Sequence, residues 1–427
     1  MKKTLYILLA TLFIFMQGAS WADEKGAGDA GKNGGLEELK TRVDTLEEMM
    51  KNGVVTDELG HKLHPIHSLY GLKITGGLTM TAQGAAHLKG AAHRGAFALS
   101  GDLALESPVG KDGRAVVVLD VQQGAGLQVT PNVFFAGPNG NPTGPNTDVE
   151  SFNNDAVHLA QLYYEHKILE DLVISMGQLD ITGYFDANSF ANNERMQFLA
   201  NIFVNNPAIE FGGSGNFYGP GVRLTYSPAG NIDLTAGAFE GNGDYANTFD
   251  NPFVMAETDL KAGISGKEGN YRAYYWTRHG RTDTLSTANP LDADLQRATN
   301  SGIGISLDQM VSASTGVWLR AGTQREKVAQ FDRFIGAGVN IKGICGREKD
   351  VIGLGYGASF MGRDYEGYLD GVAPGFRKGA EHYMEAYYNI AVSGAVQNRG
   401  FHISPDIQYA LSTPAGTGTP QSYSYTG

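Results

Sequence analysis

Val222-Arg223-Leu224-Thr225-Tyr226-Ser227-Pro228-Ala229-Gly230-Asn231-Ile232-Asp233-Leu234-Thr235-Ala236-Gly237-Ala238 holds two alternating runs joined at Ala229-Gly230. Val222, Leu224 and Tyr226 stand against Arg223, Thr225 and Ser227. Ile232, Leu234, Ala236 and Ala238 repeat the pattern around Asp233 and Thr235. A strand turns successive side chains to opposite faces, so period two predicts a hairpin with one oily and one wet face.

The same alternation recurs outward from this hairpin. Ile335, Ala337, Val339 and Ile341 alternate with Gly336, Gly338, Asn340 and Lys342, and Phe401, Ile403 and Ile407 with His402, Ser404 and Asp406. From about residue 72 to 410 such segments number about fifteen, and the links between them alternate between short and long. Glu170-Asp171, Ala229-Gly230 and Gly266-Lys267-Glu268 are short, whereas 84–94, 125–155, 180–219, 241–254, 280–299 and 360–380 are long. Tight turns at one rim and long loops at the other predict a transmembrane antiparallel up-and-down β-barrel, all-β, of about 16 strands over 72–427. The first strand then runs outward. An even count needs one more strand after residue 410, yet Leu411 to Gly427 carries no clear one.

Composition agrees. The 427 residues are 18% charged with 58 Gly, and the mean hydropathy of -0.23 is far from that of a helical membrane protein. A net charge of -12 argues against a nucleic-acid partner. The single Cys345 allows no disulfide within the chain.

Residues 1–22 read as a signal peptide: Lys2 and Lys3, an apolar Leu5 to Phe15, and Ser20-Trp21-Ala22 at the cleavage positions. Residues 23–35 are a flexible linker. Over 36–53, Leu36, Leu39, Val43, Leu46 and Met50 follow heptad spacing, which predicts a short periplasmic coiled-coil helix. So short a helix needs support, either partner chains in a homo-oligomer such as a trimer or another surface. The linker 54–71 holds His61, His64 and His67, but Pro65 breaks the helical face a metal would need.

One stretch is distinctive: Gly177-Gln178-Leu179-Asp180-Ile181-Thr182-Gly183-Tyr184-Phe185-Asp186-Ala187-Asn188-Ser189-Phe190-Ala191-Asn192-Asn193-Glu194, continuing through Gln197-Phe198-Leu199 to Phe203-Val204-Asn205-Asn206-Pro207-Ala208-Ile209. Tyr218-Gly219-Pro220-Gly221, Ala238-Phe239-Glu240-Gly241-Asn242, Asp350-Val351-Ile352-Gly353-Leu354-Gly355, Glu385-Ala386-Tyr387-Tyr388 and Ile403-Ser404-Pro405-Asp406-Ile407-Gln408-Tyr409 follow in order. Over roughly 70–410 the chain resembles the carbohydrate-selective porin family, the OprB-type porins. The resemblance implies a 16-stranded barrel in the outer membrane of a Gram-negative bacterium, in contact with its lipid, that passes small carbohydrates by facilitated diffusion. The sequence holds no G-x-S-x-G elbow, no H-E-x-x-H zinc helix and no P-loop, so no enzyme activity, cofactor or metal is expected. Family members close with a strand ending in an aromatic residue, whereas this chain ends Ser422-Tyr423-Ser424-Tyr425-Thr426-Gly427.

By link order, 180–219 is the third long loop, the one that by analogy with general porins narrows the lumen. Asp186, Asn188, Asn192, Asn193, Glu194, Arg195 and Gln197 there can either meet sugar hydroxyls or fasten the loop to the wall. Alternation puts Arg223, the set Arg272, Trp276 and Arg278, the pair Trp318 and Arg320, and the row Tyr383, Glu385 and Tyr387 on the lumen face. Aromatic plates beside fork-shaped donors suit a sugar, which has an apolar face and many hydroxyls. Those arginines also leave open an anion-preferring or general small-solute pore, and a structural or adhesive barrel is the third reading. Gly353, Gly355 and Gly357 lack the helix a nucleotide site requires and read as a thin patch of inner wall.

Overall fold

The computed structural model describes residues 71–86, 95–124, 126–127, 137–140, 156–211, 218–241, 245, 248–279, 298–396, 399–411 and 422–426. The chain divides into two units, Met1–Gly71 and Leu72–Gly427, and the second is the one described here. The signal peptide, both linkers, the 36–53 heptads and His61, His64 and His67 lie outside the described residues.

Alternation makes strands throughout the second unit. They are β1 (Lys73–Ala86), β2 (Gly95–Val109), β3 (Gly113–Gln123), β4 (Ala156–Leu169), β5 (Leu172–Asp180), β6 (Tyr218–Ala229), β7 (Ile232–Glu240), β8 (Pro252–Lys261) and β9 (Gly269–Arg278). β10 (Asn300–Met310), β11 (Thr315–Gln324), β12 (Phe331–Lys342), β13 (Val351–Met361), β14 (Ala380–Val396), β15 (Arg399–Ile403), β16 (Asp406–Leu411) and β17 (Ser422–Thr426) follow. Each pairs antiparallel with its neighbours, and β17 pairs with both β16 and β1, so the sheet closes on itself. Closure leaves no free row of backbone groups along those pairings, which hydrocarbon would not tolerate.

β15 and β16 both pair with β14 and occupy one position in the wall. Pro405 interrupts them because it has no N–H to give, and its carbonyl instead accepts from the Tyr388 N–H at 3.0 Å. The wall therefore counts sixteen positions among the described residues. This corrects the reading of Leu411 to Gly427 as strandless: Ser422–Thr426 is the closing strand. It is five residues long and lacks an apolar row, so the alternation signal was too short to register.

The register fixes the faces. Val339, Leu354, Ala386 and Ile407 lie side by side across β12, β13, β14 and β16 and point outward. Leu354 is 49% and Ile407 55% exposed on that outer face, as are Ile74, Leu78, Leu162, Ile303 and Phe401 around the circumference. A continuous apolar belt of this kind asks for lipid rather than water. The opposite side chains fill the interior.

At the tight-turn rim, the β12–β13 connection is tied by Arg347 and Asp350, the latter also accepting from Tyr388 Oη at 2.7 Å and the Ala391 N–H at 3.1 Å. The hydrogen bond from Arg347 is the main cause that holds the Asp350 carboxyl down at about 2, below the ordinary ~3.9. A depressed carboxyl stabilises the fold fully above its ordinary value and loses that contribution as pH falls through its folded value. The turn should therefore stay tied until the pH nears 2. Carboxyl-carbon NMR of Asp350 should titrate there; a midpoint near 4 would dismiss the tie.

Candidate functional site

The connection between β5 and β6 does not project outward. Its described part, 181–211, folds into the barrel and packs against inward-facing side chains of β7 to β14. Two apolar clusters form there. One gathers Phe185, Ile209 and Phe211 of the loop with Phe239, Phe253, Tyr274 and Trp276 of the wall. The other gathers Phe198, Ile202 and Phe203 with Trp318, Phe334, Tyr383 and Tyr387. The short helix α1 (Asn201–Val204) belongs to the second.

The glycines of β13 now have a reason. Phe198 lies over Gly355, where a Cβ would come within 2.9 Å of its ring, and Phe203 lies near Gly357. The inner wall is thinned there to admit the loop's aromatic rings.

Asp186 is the centre of the fastening. It sits at φ 57, a left-handed conformation, and is fully buried. Its carboxylate accepts from Arg320 Nε at 2.9 Å, from the Asn206 N–H at 2.6 Å and from Tyr274 Oη at 2.9 Å. The Asp186 N–H donates to Glu257 Oε2 at 2.7 Å. Arg320 also donates to the carbonyls of Asp186 and Phe203, each at 2.8 Å, so one guanidinium holds two turns of the loop. Such a fork is pre-organised for several acceptors at once.

Further fastenings spread around the circumference. Asn188 Nδ2 donates to Ser306 Oγ and the Leu307 carbonyl, each at 3.2 Å. Ser189 Oγ donates to Asp308, which is itself paired with Arg272 at 2.7 Å. Glu385 accepts from the Leu199 and Ala200 N–H groups. Arg278 pairs with Glu210 at 2.9 Å. Within the loop, Asn193 Oδ1 accepts from the N–H groups of Arg195 and Met196, and Gln197 bridges the Asn192 N–H and the Ser189 carbonyl.

All the wall residues expected on the lumen face are there, but most are enclosed. Trp276, Arg320 and Tyr383 are 0% exposed, and Arg272, Arg278, Trp318, Glu385 and Tyr387 are buried with them. They pack against the loop, which fills the space in front of most of them, and Tyr387 also borders a cavity at the loop tip. Asp186 and Asn188 are buried as well. Arg223 pairs with Glu165 at 2.9 Å and lies 4.0 Å over the Tyr184 ring.

Space remains on the other side of the loop. A cleft of about 430 Å³ lies between it and the wall of β2, β3, β5 and β6. Of the loop residues singled out above, Asn192, Glu194 and Arg195 border it. Arg195 reaches across to Asp102 at 2.6 Å and Ser100 at 3.1 Å, so this arm spans the lumen from loop to wall. The cleft's other charged borders are Asp102, Asp120 and Asp180, and its apolar floor includes Ile202, Ile209 and Phe211. Asp102 and Asp120 are cross-strand partners on the inner face. Alternation alone could have found them, but two acids without aromatic neighbours gave no reason to select them.

A model of the carbohydrate-selective porin, OprB family, matches residues 89–422. In structure the chain is similar to the high-pH structure of Pseudomonas putida OprB, with a TM-score of 0.64, 15% identity, and coverage of 86% of this chain and 96% of that one. At that identity the likeness shows the shared fold. The outer membrane channel DcaP of Acinetobacter baumannii gives a TM-score of 0.48 at 13% identity, over 83% of this chain and 96% of that one. In sequence, an uncharacterized protein of Aquifex aeolicus is 25% identical over 180 residues, 42% of this chain. That match spans about half the relative's length, 46%.

Proposed function

Because this chain belongs to the carbohydrate-selective porin, OprB family, whose model matches residues 89–422, we propose that it is an outer-membrane channel through which small saccharides diffuse into the periplasm. The supporting observation is the cleft beside the inserted loop. It combines carboxylates, amides and one guanidinium with an apolar floor, which matches a solute having hydroxyls at its edge and C–H groups on its faces. Its contacts would be made by Asn192, Glu194 and Arg195 from the loop and by Asp102, Asp120 and Asp180 from the wall.

An anion-preferring pore is the weaker reading. The lumen arginines that suggested it are committed: Arg272, Arg278 and Arg320 each hold a carboxylate. In the cleft four carboxylates face one guanidinium, so charge there repels anions. Proteoliposomes should swell in glucose and small oligosaccharides and more slowly in gluconate of similar size. Changing Asp102, Asp120 and Glu194 to their amides should bring the two rates together. Absence of swelling in every sugar would overturn the channel reading, and faster swelling in gluconate would favour the anion pore.

Self-association through the 36–53 heptads is part of the same proposal, because so short a heptad segment gains stability from partner helices. Chemical cross-linking with and without residues 36–53 tests it, and an unchanged oligomer would remove that segment from the interface.

A further inference from the structure

We propose that the channel rectifies, because the inserted loop separates an acidic zone on the long-loop side from a basic zone on the tight-turn side. The proposal rests on the channel reading and concerns the direction in which ions pass.

The acidic zone is the cleft between loop and wall, where Asp102, Asp120, Asp180 and Glu194 face Arg195 among the described residues. It lies toward the long-loop rim. Asp180 ends β5 and Tyr218 begins β6 where the inserted loop leaves and rejoins the wall, and Gly140 comes from the β3–β4 connection.

The basic zone is a second cavity, of about 400 Å³, on the far side of the loop tip. Ala313 and Ser314 of the β10–β11 turn and Lys349 of the β12–β13 turn border it, which fixes it at the tight-turn rim. Lys342 and Lys349 are its charged borders, both exposed, and no carboxylate is among the described residues that line it. Asn389 and His402 also border it. Asn389 donates Nδ2 to the Met196 carbonyl at 3.1 Å, so its Oδ1 is the acceptor that faces His402 Nδ1 at 2.8 Å.

Two oppositely charged zones in series act on mobile ions as a junction. With the long-loop side positive, cations enter through the acidic cleft and anions through the basic cavity, and both accumulate where the zones meet. With the opposite sign both are drawn away and the junction is depleted. Surface potentials of several kT are enough to bias entry in this way. The effect must fade with salt, because screening falls from about 30 Å at 0.01 M to about 3 Å at 1 M.

Single-channel recording in planar bilayers at symmetric KCl is the test. In 0.01 M KCl the current at equal and opposite voltages should differ about twofold or more, with the larger current when the long-loop side is positive. In 1 M KCl the ratio should approach one. The double variant Lys342→Gln, Lys349→Gln should be ohmic at both concentrations, and because both lysines are exposed the barrel is not at stake. An ohmic current at 0.01 M overturns the inference while leaving the channel reading intact. Rectification that survives in the double variant, or of the opposite sign, overturns it as well. Absence of any channel overturns both.

Discussion

With Arg320 replaced by methionine, the channel should carry more current and lose its sugar-dependent block. Arg320 is 0% exposed and holds Asp186, also 0% exposed, at 2.9 Å. The methionine fills similar space without charge and leaves the carboxylate buried beside Tyr274 and Asn206 alone. Breaking one side of a buried pair costs ~3–5 kcal/mol. At about 1.4 kcal/mol per tenfold, loop docking weakens by about two to three and a half orders of magnitude. The carbonyls of Asp186 and Phe203 lose their donors in the same step. Glu385 and Asp308 still hold their own stretches of the loop, so 186 to 206 should loosen rather than leave the lumen. Single-channel recording should show a larger, noisier conductance that maltose no longer reduces. Arg320→Lys, which restores the charge but only a point donor, should fall between. If Arg320→Met kept both the conductance and the block of the unchanged protein, the loop would not be what narrows the pore.

Leu354→Arg should destabilise the barrel by ~2–4 kcal/mol, the range for arginine near the middle of a lipid-facing wall. Leu354 sits mid-strand in β13 between Val339 and Ala386, and its 49% exposure is to the outside. An arginine there has no carboxylate neighbour on the outer row and must stretch toward a rim. Leu354→Ala removes only apolar contact with lipid and serves as the size control. Urea unfolding in lipid vesicles, followed by intrinsic fluorescence, compares the two. Equal midpoints for both variants would mean that this face does not meet hydrocarbon.

Much of the wall was legible because strand geometry converts position parity into direction. Once Val222, Leu224 and Tyr226 were read as one face, Arg223 had to lie on the other, and the same logic turned Arg272, Trp276, Arg278, Trp318 and Arg320 inward. What those side chains meet there was not legible. Trp276 and Tyr383 carry the same residue chemistry whether a sugar or Phe253 and Phe203 lie against them. By analogy with general porins the loop stretch 180–219 was expected to enter the lumen, yet its fastenings to the wall depend on partners far away in the chain, such as Glu257 for Asp186 and Glu385 for Leu199.

The sequence by itself determined a barrel wall, its two faces and its two rims, since each follows from periods and lengths local to the chain, whereas the entry of the third long loop was expected by analogy with general porins. Only the tertiary structure decided which residues border the cleft beside the loop. Asp102, Asp120 and Asp180 face it while Arg272, Arg278 and Arg320 are spent on fastening. The physical reason is that a lumen-facing side chain has two possible neighbours, water or the inserted loop, and which one it gets is set by where the loop comes to rest against distant strands.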